Sequence, residues 1–388
     1  MKRERQNDLL RELFGYLDTR STARIGDFMR NPVSAYVDQE RLEHERKVLF
    51  TEHAQFAGLT GQLAKPGDYY VQMFGTMPVL LVRDRDGKAK AFANVCRHRG
   101  SPIAQGCGNA RAFSCPYHGW SYGLDGRLLS VTDEPGFAGL DKSAHNLIRL
   151  KSGEKYGMIF VQPQPVKDGE QPELDIDKHL GGIAEEVAPF HLENYTLFRS
   201  EILRPAMNWK FVIDTFLEAY HIAFLHKETV SPIFHGNVSA AAQYGLHGRM
   251  AALRRSSKEL HGKSEDEWGD ALKHVIVLYN LFPNAMFIYQ ADHVETWRVF
   301  PGAKPDECVA EFSLYIPNPA ETEKAQKYWN ANFELATRTV RDEDFTVGAE
   351  MQKGFASGAQ SHVTYGRNEP ALIHFHRSIR RALGLTEI

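Results

Sequence analysis

Cysteine is scarce in this chain: four residues, Cys96, Cys107, Cys115 and Cys308, in a total of 388. So few cannot cross-link a chain of this size, which excludes a disulfide scaffold. Long apolar runs are missing too. Stretches such as 77–82 fall far short of the ~20 residues that cross a bilayer. Neither sign of charge is in excess: 46 Lys and Arg face 49 Asp and Glu, a net charge of −3. That leaves no basic footprint for nucleic acid. There is no G-x-G-x-x-G and no Walker-type loop, so no nucleotide site of its own is legible. The N-terminal MKRERQNDLLRELFGYL reads as an amphipathic helix without the apolar core or cleavage site of a secretory signal. The expectation is a cytoplasmic protein without a membrane or nucleic-acid partner.

The remaining composition is that of a globular protein, with 43% hydrophobic and 24% charged residues. Its length suits two or three domains. Leu9, Leu10, Leu13, Phe14 and Leu17 fall on one helical face, and 41–56 has a similar pattern. From about Gly67 the period shortens. YYVQMFG, PVLLVRD and KAFANV are β-rich runs, and Asp84-Arg85-Asp86-Gly87 between the last two is a hairpin turn signal. Leu124-Asp125-Gly126 is another. The Pro-rich segment 162–172 reads as a loop or linker. Beyond it, 208–226 is a helix candidate, 274–300 holds two β runs split by Pro283-Asn284, and 321–353 and 372–383 are helical patterns. The fold class expected is α+β. A small all-β domain (56–165) sits between an N-terminal helical segment (1–55) and a mixed domain (166–388), in which helices surround an antiparallel sheet.

Two constellations carry chemistry. The first is Cys96-Arg-His98 followed by Cys115-Pro-Tyr-His118, each pair in a Gly-rich turn. A Cys₂His₂ zinc site is one reading. Zinc fingers, however, usually group the two Cys and the two His separately, whereas here each loop supplies one of each. That interleaving suits a two-iron cluster with thiolates on one iron and imidazoles on the other, the Rieske arrangement. Cys107 could be a spare ligand, but a small buried hydrophobe is the simpler reading. Cys308 reads as a core residue. The second constellation is Asp214-Thr-Phe-Leu-Glu218-Ala-Tyr-His221, then His226. Glu218 and His221 are i,i+3 and can share a helix face. His221 and His226 are i,i+5, about 140° apart on an ideal helix. They can meet at one ion only if residues 222–225 carry an irregularity. Two unrelated histidines fit the spacing as well.

Cys96-Arg-His-Arg-Gly100 and Cys115-Pro-Tyr-His-Gly-Trp120 resemble the two Rieske motifs of the ring-hydroxylating oxygenase family, in its large (α) subunit. The resemblance implies a Rieske [2Fe–2S] cluster on Cys96, His98, Cys115 and His118. It also implies a mononuclear Fe(II) held by His221, His226 and a distant carboxylate. Val340-Arg-Asp-Glu-Asp344-Phe resembles the segment that supplies this third ligand. The role is carried to Asp344, with Asp342 and Glu343 as neighbours to which it could slip. Glu218 would link His118 of one subunit to His221 of the next. Glu at this position resembles the branch that works without a β subunit, as an α₃ homotrimer. Where many relatives read Glu-Asn, this chain has Asp214-Thr215.

The activity implied is that of a terminal oxygenase: it inserts oxygen from O₂ into a small organic substrate, using NAD(P)H-derived electrons from a separate reductase, with or without a ferredoxin. An aromatic or hydrophobic ring is the first substrate class expected, since 275–289 (VIVLYNLFPNAMFIY) could line an apolar pocket as readily as form core strand. A quaternary ammonium, oxidised by a monooxygenase or demethylase of the same family, is the alternative, because aromatic side chains can cage a cation. A Rieske electron-transfer protein with a purely structural second half is the alternative of a different class. The basic stretch 374–381 could dock an acidic ferredoxin or be a solvated helix face.

Overall fold

The computed structural model describes residues 1–167 and 169–386. The chain forms two compact units, one of 1–49, 180–190 and 196–388, the other of 50–179 and 191–195.

In the smaller unit, seven antiparallel strands lie in the order Gln55–Leu59, Met158–Pro165, Arg149–Lys155, Ala89–Ala93, Met77–Arg83, Asp68–Phe74, Cys107–Asn109. A three-stranded sheet of Phe113–Ser114, Ser121–Tyr122 and Leu128–Ser130 stands apart from it. The turn at Asp84–Gly87 forms as its sequence suggests. Gly87 takes φ +79°, a left-handed conformation that costs glycine nothing, and Arg83 pairs with Ala89 across the hairpin. This unit is wider than the 56–165 read from the sequence. Residues 172–174 add a bridge to the strand Arg149–Lys155 through Ser152 N to Pro172 O (2.9 Å) and Leu174 N to Ser152 O (3.0 Å). Leu192 and Glu193 close against Gly157, where a Cβ would lie 2.3 Å from Glu193 N. Cys107 is exposed on an edge strand, so it is not the buried hydrophobe expected. Cys308 is buried in a strand, and burial pushes its thiol pKa well up.

The larger unit is built on a second seven-stranded antiparallel sheet, in the order Thr196–Leu203, Cys308–Ile316, Val294–Pro301, Ala285–Tyr289, Val275–Leu281, His247–Arg254, Phe234–Tyr244. The helices Arg3–Asp18, Gln39–Val48, Glu323–Arg338, Phe345–Ala356 and Pro370–Ala382 belong to the same unit. The architecture is thus α+β.

Two sequence expectations need correction here. The segment 208–226 is not one helix. Trp209–Asp214 is helical, 215–220 turn, and Ile222–Leu225 forms a single further helical turn. The irregularity expected within 222–225 therefore lies on either side of it. The pattern 321–353 is likewise interrupted: Thr339–Asp344 widens to a π-helix between two α-helices. Such a bulge re-aims side chains that a regular helix would spread round its surface.

Buried polar contacts fix these segments against each other. Asn208 caps its helix through Lys210 N (3.1 Å), its amide donates to Tyr36 O (3.1 Å), and its own N–H donates to Gln352 Oε1 (3.1 Å). Trp209 Nε1 and Lys210 Nζ both reach Glu45 Oε2, at 2.8 and 2.7 Å. Gly348 lets the helix Phe345–Ala356 approach closely, because a Cβ there would fall 2.4 Å from Met207 Sδ. Among the described residues no helix is long and apolar enough to cross a membrane.

Candidate metal centres and active site

The two Cys/His loops of the smaller unit are near copies. In each, the Cys carbonyl accepts from the N–H of the Gly four residues on, Gly100 at 2.9 Å and Gly119 at 3.0 Å. Both glycines have positive φ, +79° and +70°. A side chain at Gly119 would also fall 2.6 Å from Thr132 Oγ1. Each loop thus turns its Cys and His the same way. Cys96 and Cys115 are buried beside Trp120 and Tyr122. The His98 and His118 rings lie 4.7 Å apart, and Trp120 stacks on His98 at 4.9 Å and 9°.

Donors surround the sulfurs. Tyr122 Oη is 3.4 Å from Cys96 Sγ. Burial alone would push the Cys115 thiol up. The N–H groups of Tyr117 and His118, with contacts to Cys96 and Ser101, outweigh it and hold the thiol below its ordinary value. His118 Nδ1 is buried with no hydrogen-bond partner. A single tetrahedral zinc holds its ligand atoms within about 4 Å of one another. Among the described residues, the set of three or more ligand atoms that all lie within 4.8 Å is a different one, His221, His226 and Asp344. Cys96 contacts Cys115 and the ring of His98 lies against that of His118, so a thiol pair stands beside an imidazole pair, the donor arrangement of a Rieske cluster.

The second set lies in the larger unit. His221 precedes the helical turn Ile222–Leu225 and His226 ends it. Nδ1 of His221 meets Glu218 Oε1, and Nδ1 of His226 meets Glu343 Oε2 at 2.5 Å. A carboxylate can only accept, so each Nδ1 carries a proton and, in the neutral ring, each Nε2 presents a lone pair. The two Nε2 atoms stand 3.1 Å apart. Asp344 Oδ1 is 3.2 Å from His226 Nε2 and 3.6 Å from His221 Nε2. Asp344 is buried, and its Oδ1 has no hydrogen-bond partner. Three lone pairs aimed at one another repel unless a cation lies among them. Burial opposes protonation of His226, but Asp344 and Glu343 together outweigh it and raise its pKa. The donor set is two imidazoles and one carboxylate, the facial triad of non-haem iron.

The acidic run divides into three. Asp342 is exposed and paired with Arg341 Nε at 2.7 Å. Glu343 is turned to His226 and to Thr229 Oγ1, at 2.8 Å from the latter. Asp344 faces both imidazoles. The sequence suggests Glu343 only as a substitute ligand, not as the partner of His226. A signal for that contact exists, since a ligating histidine needs an acceptor for its other N–H. Glu218 is no loose surface carboxylate. It reaches His221 Nδ1, the N–H of Tyr220 and the N–H of His221, the last at 3.0 Å. Asp214 is buried and turned elsewhere, to Tyr36 Oη (2.5 Å) and His376 Nε2 (2.8 Å), while Thr215 lines the cavity described next.

A cavity of about 530 Å³ opens onto His221, His226 and Asp344. Its sheet wall takes alternate residues: Ile276, Leu278 and Ile288 face it, whereas Val277, Tyr279 and Phe287 are buried in the core. Residues 275–289 thus serve as both pocket wall and core. Phe216 and Tyr328 add aromatic surface, with Trp297 fully buried behind Phe216, and the lining carries both negative charge (Glu218, Asp292, Glu295) and positive charge (Arg254, Lys273). In the basic stretch 374–381, His374 and His376 are buried, so its first half is core and not a docking face.

Residues 192–385 match the family described as ring hydroxylating alpha subunit (catalytic domain), and 53–141 match the Rieske [2Fe-2S] domain. The chain is 32% identical, over 87% of its length and 81% of the relative's, to a glycine betaine monooxygenase oxygenase subunit of Chromohalobacter salexigens. It is 31% identical, over 89% of its length and 91% of the relative's, to the carnitine monooxygenase oxygenase subunit of Escherichia coli K12. Its fold is similar to that of the quaternary ammonium Rieske monooxygenase CntA bound to L-carnitine (TM-score 0.76, 20% identity, 92% of this chain and 96% of the other). It is also similar to naphthalene 1,2-dioxygenase (TM-score 0.70, 19% identity, 95% and 94%). With a Rieske-type pair of loops, a facial triad and these matches, the chain belongs to the α subunits of the Rieske ring-hydroxylating oxygenases, oxidoreductases that carry a [2Fe–2S] cluster and a mononuclear iron and draw NAD(P)H electrons through a reductase.

Proposed function

We propose that this oxygenase is a monooxygenase of quaternary ammonium compounds. The observation that carries this is the chemistry of the cavity: the Phe216 ring and the Glu218 carboxylate line it beside His221, His226 and Asp344. The half-buried Phe216 ring supplies aromatic surface beside the triad, and the fully buried Trp297 lies 5.5 Å behind it. Aromatic faces and carboxylates both attract a cation that cannot donate hydrogen bonds. The names of the relatives at 31–32% identity, carnitine and glycine betaine monooxygenases, point to the same substrate class. The ring substrate expected first from the sequence is therefore the second reading, supported by the apolar row Met250, Ile276, Leu278 and Ile288.

In this proposal Cys96, His98, Cys115 and His118 hold the cluster, and His221, His226 and Asp344 hold the iron. The bound iron supplies O₂ activation with electrons that arrive through the cluster. The chain's own residues set the stage. Glu218 and Glu343 fix the imidazole tautomers and orientations by accepting from Nδ1. The apolar sheet wall limits water at the reacting end. Glu218 also receives the electron path from His118 of a neighbouring copy in an α₃ homotrimer without a β subunit. The exposed aromatics near these residues, Tyr117 (60%), Tyr220 (52%) and Phe224 (68%), favour such a covered surface. A reductase, with or without a ferredoxin, is the external partner.

The test supplies the iron-loaded protein with a surrogate NADH-dependent reductase, ¹⁸O₂, and either a trimethylammonium compound or an aromatic hydrocarbon. The proposal expects O₂ uptake that depends on the ammonium compound, with one labelled oxygen atom in its product when the carbonyl formed is trapped by reduction before it exchanges with water. Uptake with the hydrocarbon alone, or two labelled atoms in the product, contradicts it.

A further inference from the structure

Arg254 ends the strand His247–Arg254 on the face that lines the large cavity. Met250, Ala252 and Arg254 alternate along that face, so an apolar wall finishes in a cation. The guanidinium is half-buried, lies 5.4 Å over the Phe234 ring, and donates from Nη2 to Gln290 Oε1. Its Nε is buried with no partner. Among the described residues no carboxylate stands within 4.0 Å of it.

The three fully buried arginines behave differently. Arg83 holds Glu154, Arg249 lies 2.6 Å from Glu186, and Arg298 lies 2.6 Å from Glu311. The acids that act on Arg254 through space are engaged elsewhere. Asp292 accepts from His293 Nδ1 (2.7 Å) and Tyr328 Oη (2.5 Å). Glu295 Oε1 accepts from Gln290 Nε2 (3.0 Å) and His293 Nε2 (3.2 Å). The exposed Lys273 adds a second positive charge to the same cavity. A guanidinium with most of its five N–H donors unused is a ready site for a carboxylate.

Phe216 sits at the triad end, since the buried Trp297 that it packs on also meets Phe345, the neighbour of Asp344, at 6.2 Å. Trp297 pairs with Met286 in the sheet, four residues from the Gln290 that holds Arg254. Four strand residues span about 14 Å. Arg254 and Phe216 line the same cavity, so one molecule can meet both. We infer that Arg254 binds the carboxylate of a zwitterionic substrate whose trimethylammonium end lies at Phe216 beside the triad. The inference rests on the quaternary ammonium reading above and narrows it: the substrate is a betaine-type acid and not a simple cation.

The experiment compares KM and kcat of the complete system, reductase included, for a trimethylammonium carboxylate and for its uncharged primary amide. Wild type should show a KM lower by about thirtyfold or more for the acid, the scale of a buried charge pair losing one partner. Arg254→Gln should bring the two KM values to near parity, and Arg254→Lys should restore part of the difference. A wild-type enzyme that turns over both compounds with equal KM overturns the inference while leaving the quaternary ammonium reading intact. So does an Arg254→Gln enzyme that keeps the full preference. If wild type turns over neither, the reading itself fails and the inference with it. Because the wild-type ratio is decisive alone, a variant that does not fold leaves the test standing.

Discussion

Glu343 holds the Nδ1–H of His226 at 2.5 Å, although its neighbour Asp344 is the carboxylate that faces the Nε2 of the same ring. Adjacent residues on a regular helix diverge by about 100°. Here they reach opposite edges of one imidazole, from the end of a segment, Thr339–Asp344, that is wound as a π-helix.

Replacing Glu343 by Ala should therefore weaken iron binding without removing a ligand, by about 10- to 100-fold, the usual effect of losing a partner behind a metal-bound histidine. Asp342→Ala, which loses only an exposed pair with Arg341, should bind iron as wild type does. Titration of the apo-protein with ferrous iron separates the two. Equal affinities for Glu343→Ala and wild type would remove the role argued for Glu343.

Much of this site is legible in the sequence. The paired Cys-x-His and Cys-x-x-His loops announce themselves, because their ligands lie within a few residues and glycines mark the turns. Glu218, His221 and His226 are readable as a group for the same reason. The helix break falls elsewhere than the spacing suggests. The helix ends at Asp214, whose carboxylate is held by Tyr36 and His376, residues distant in sequence. The π-helix has no local signature, so spacing alone does not tell the three acids 342–344 apart. The exposure of Cys107 is equally hidden, because nothing in its own segment reveals that its strand lies at a sheet edge. Arg254 carries no sequence signal, because the lack of a carboxylate partner is a fact about space.

Glu218→Gln keeps the shape of the side chain and removes its charge. Both metals should remain bound, while turnover falls by about 10- to 100-fold, since the His221 N–H loses a charged acceptor. Reduction of the cluster followed by single-turnover product formation reads this directly. Wild-type single-turnover rates in the variant would exclude Glu218 from electron delivery.

Stability should depend on pH through His293. Burial disfavours its charge, but hydrogen bonds to Asp292 and Glu295 prevail and raise its pKa from 6.5 to about 9. The folded state thus binds this proton more tightly than the unfolded chain. The stabilisation, up to about 3 kcal/mol, is fully present below pH 6.5 and is lost as pH rises through 9. Thermal melts between pH 6 and 10 should show a fall in Tm across this window. The fall should be smaller in His293→Gln, and an identical pH profile in that variant would refute the assignment.

The most direct measurement is iron and acid-labile sulfide per chain, for wild type and Asp344→Ala, with an EPR spectrum of each after reduction. The account predicts roughly three irons and two sulfides in wild type, and two of each in the variant, with an unchanged Rieske-type signal. Zinc without sulfide, or a variant that keeps its third iron, would contradict it.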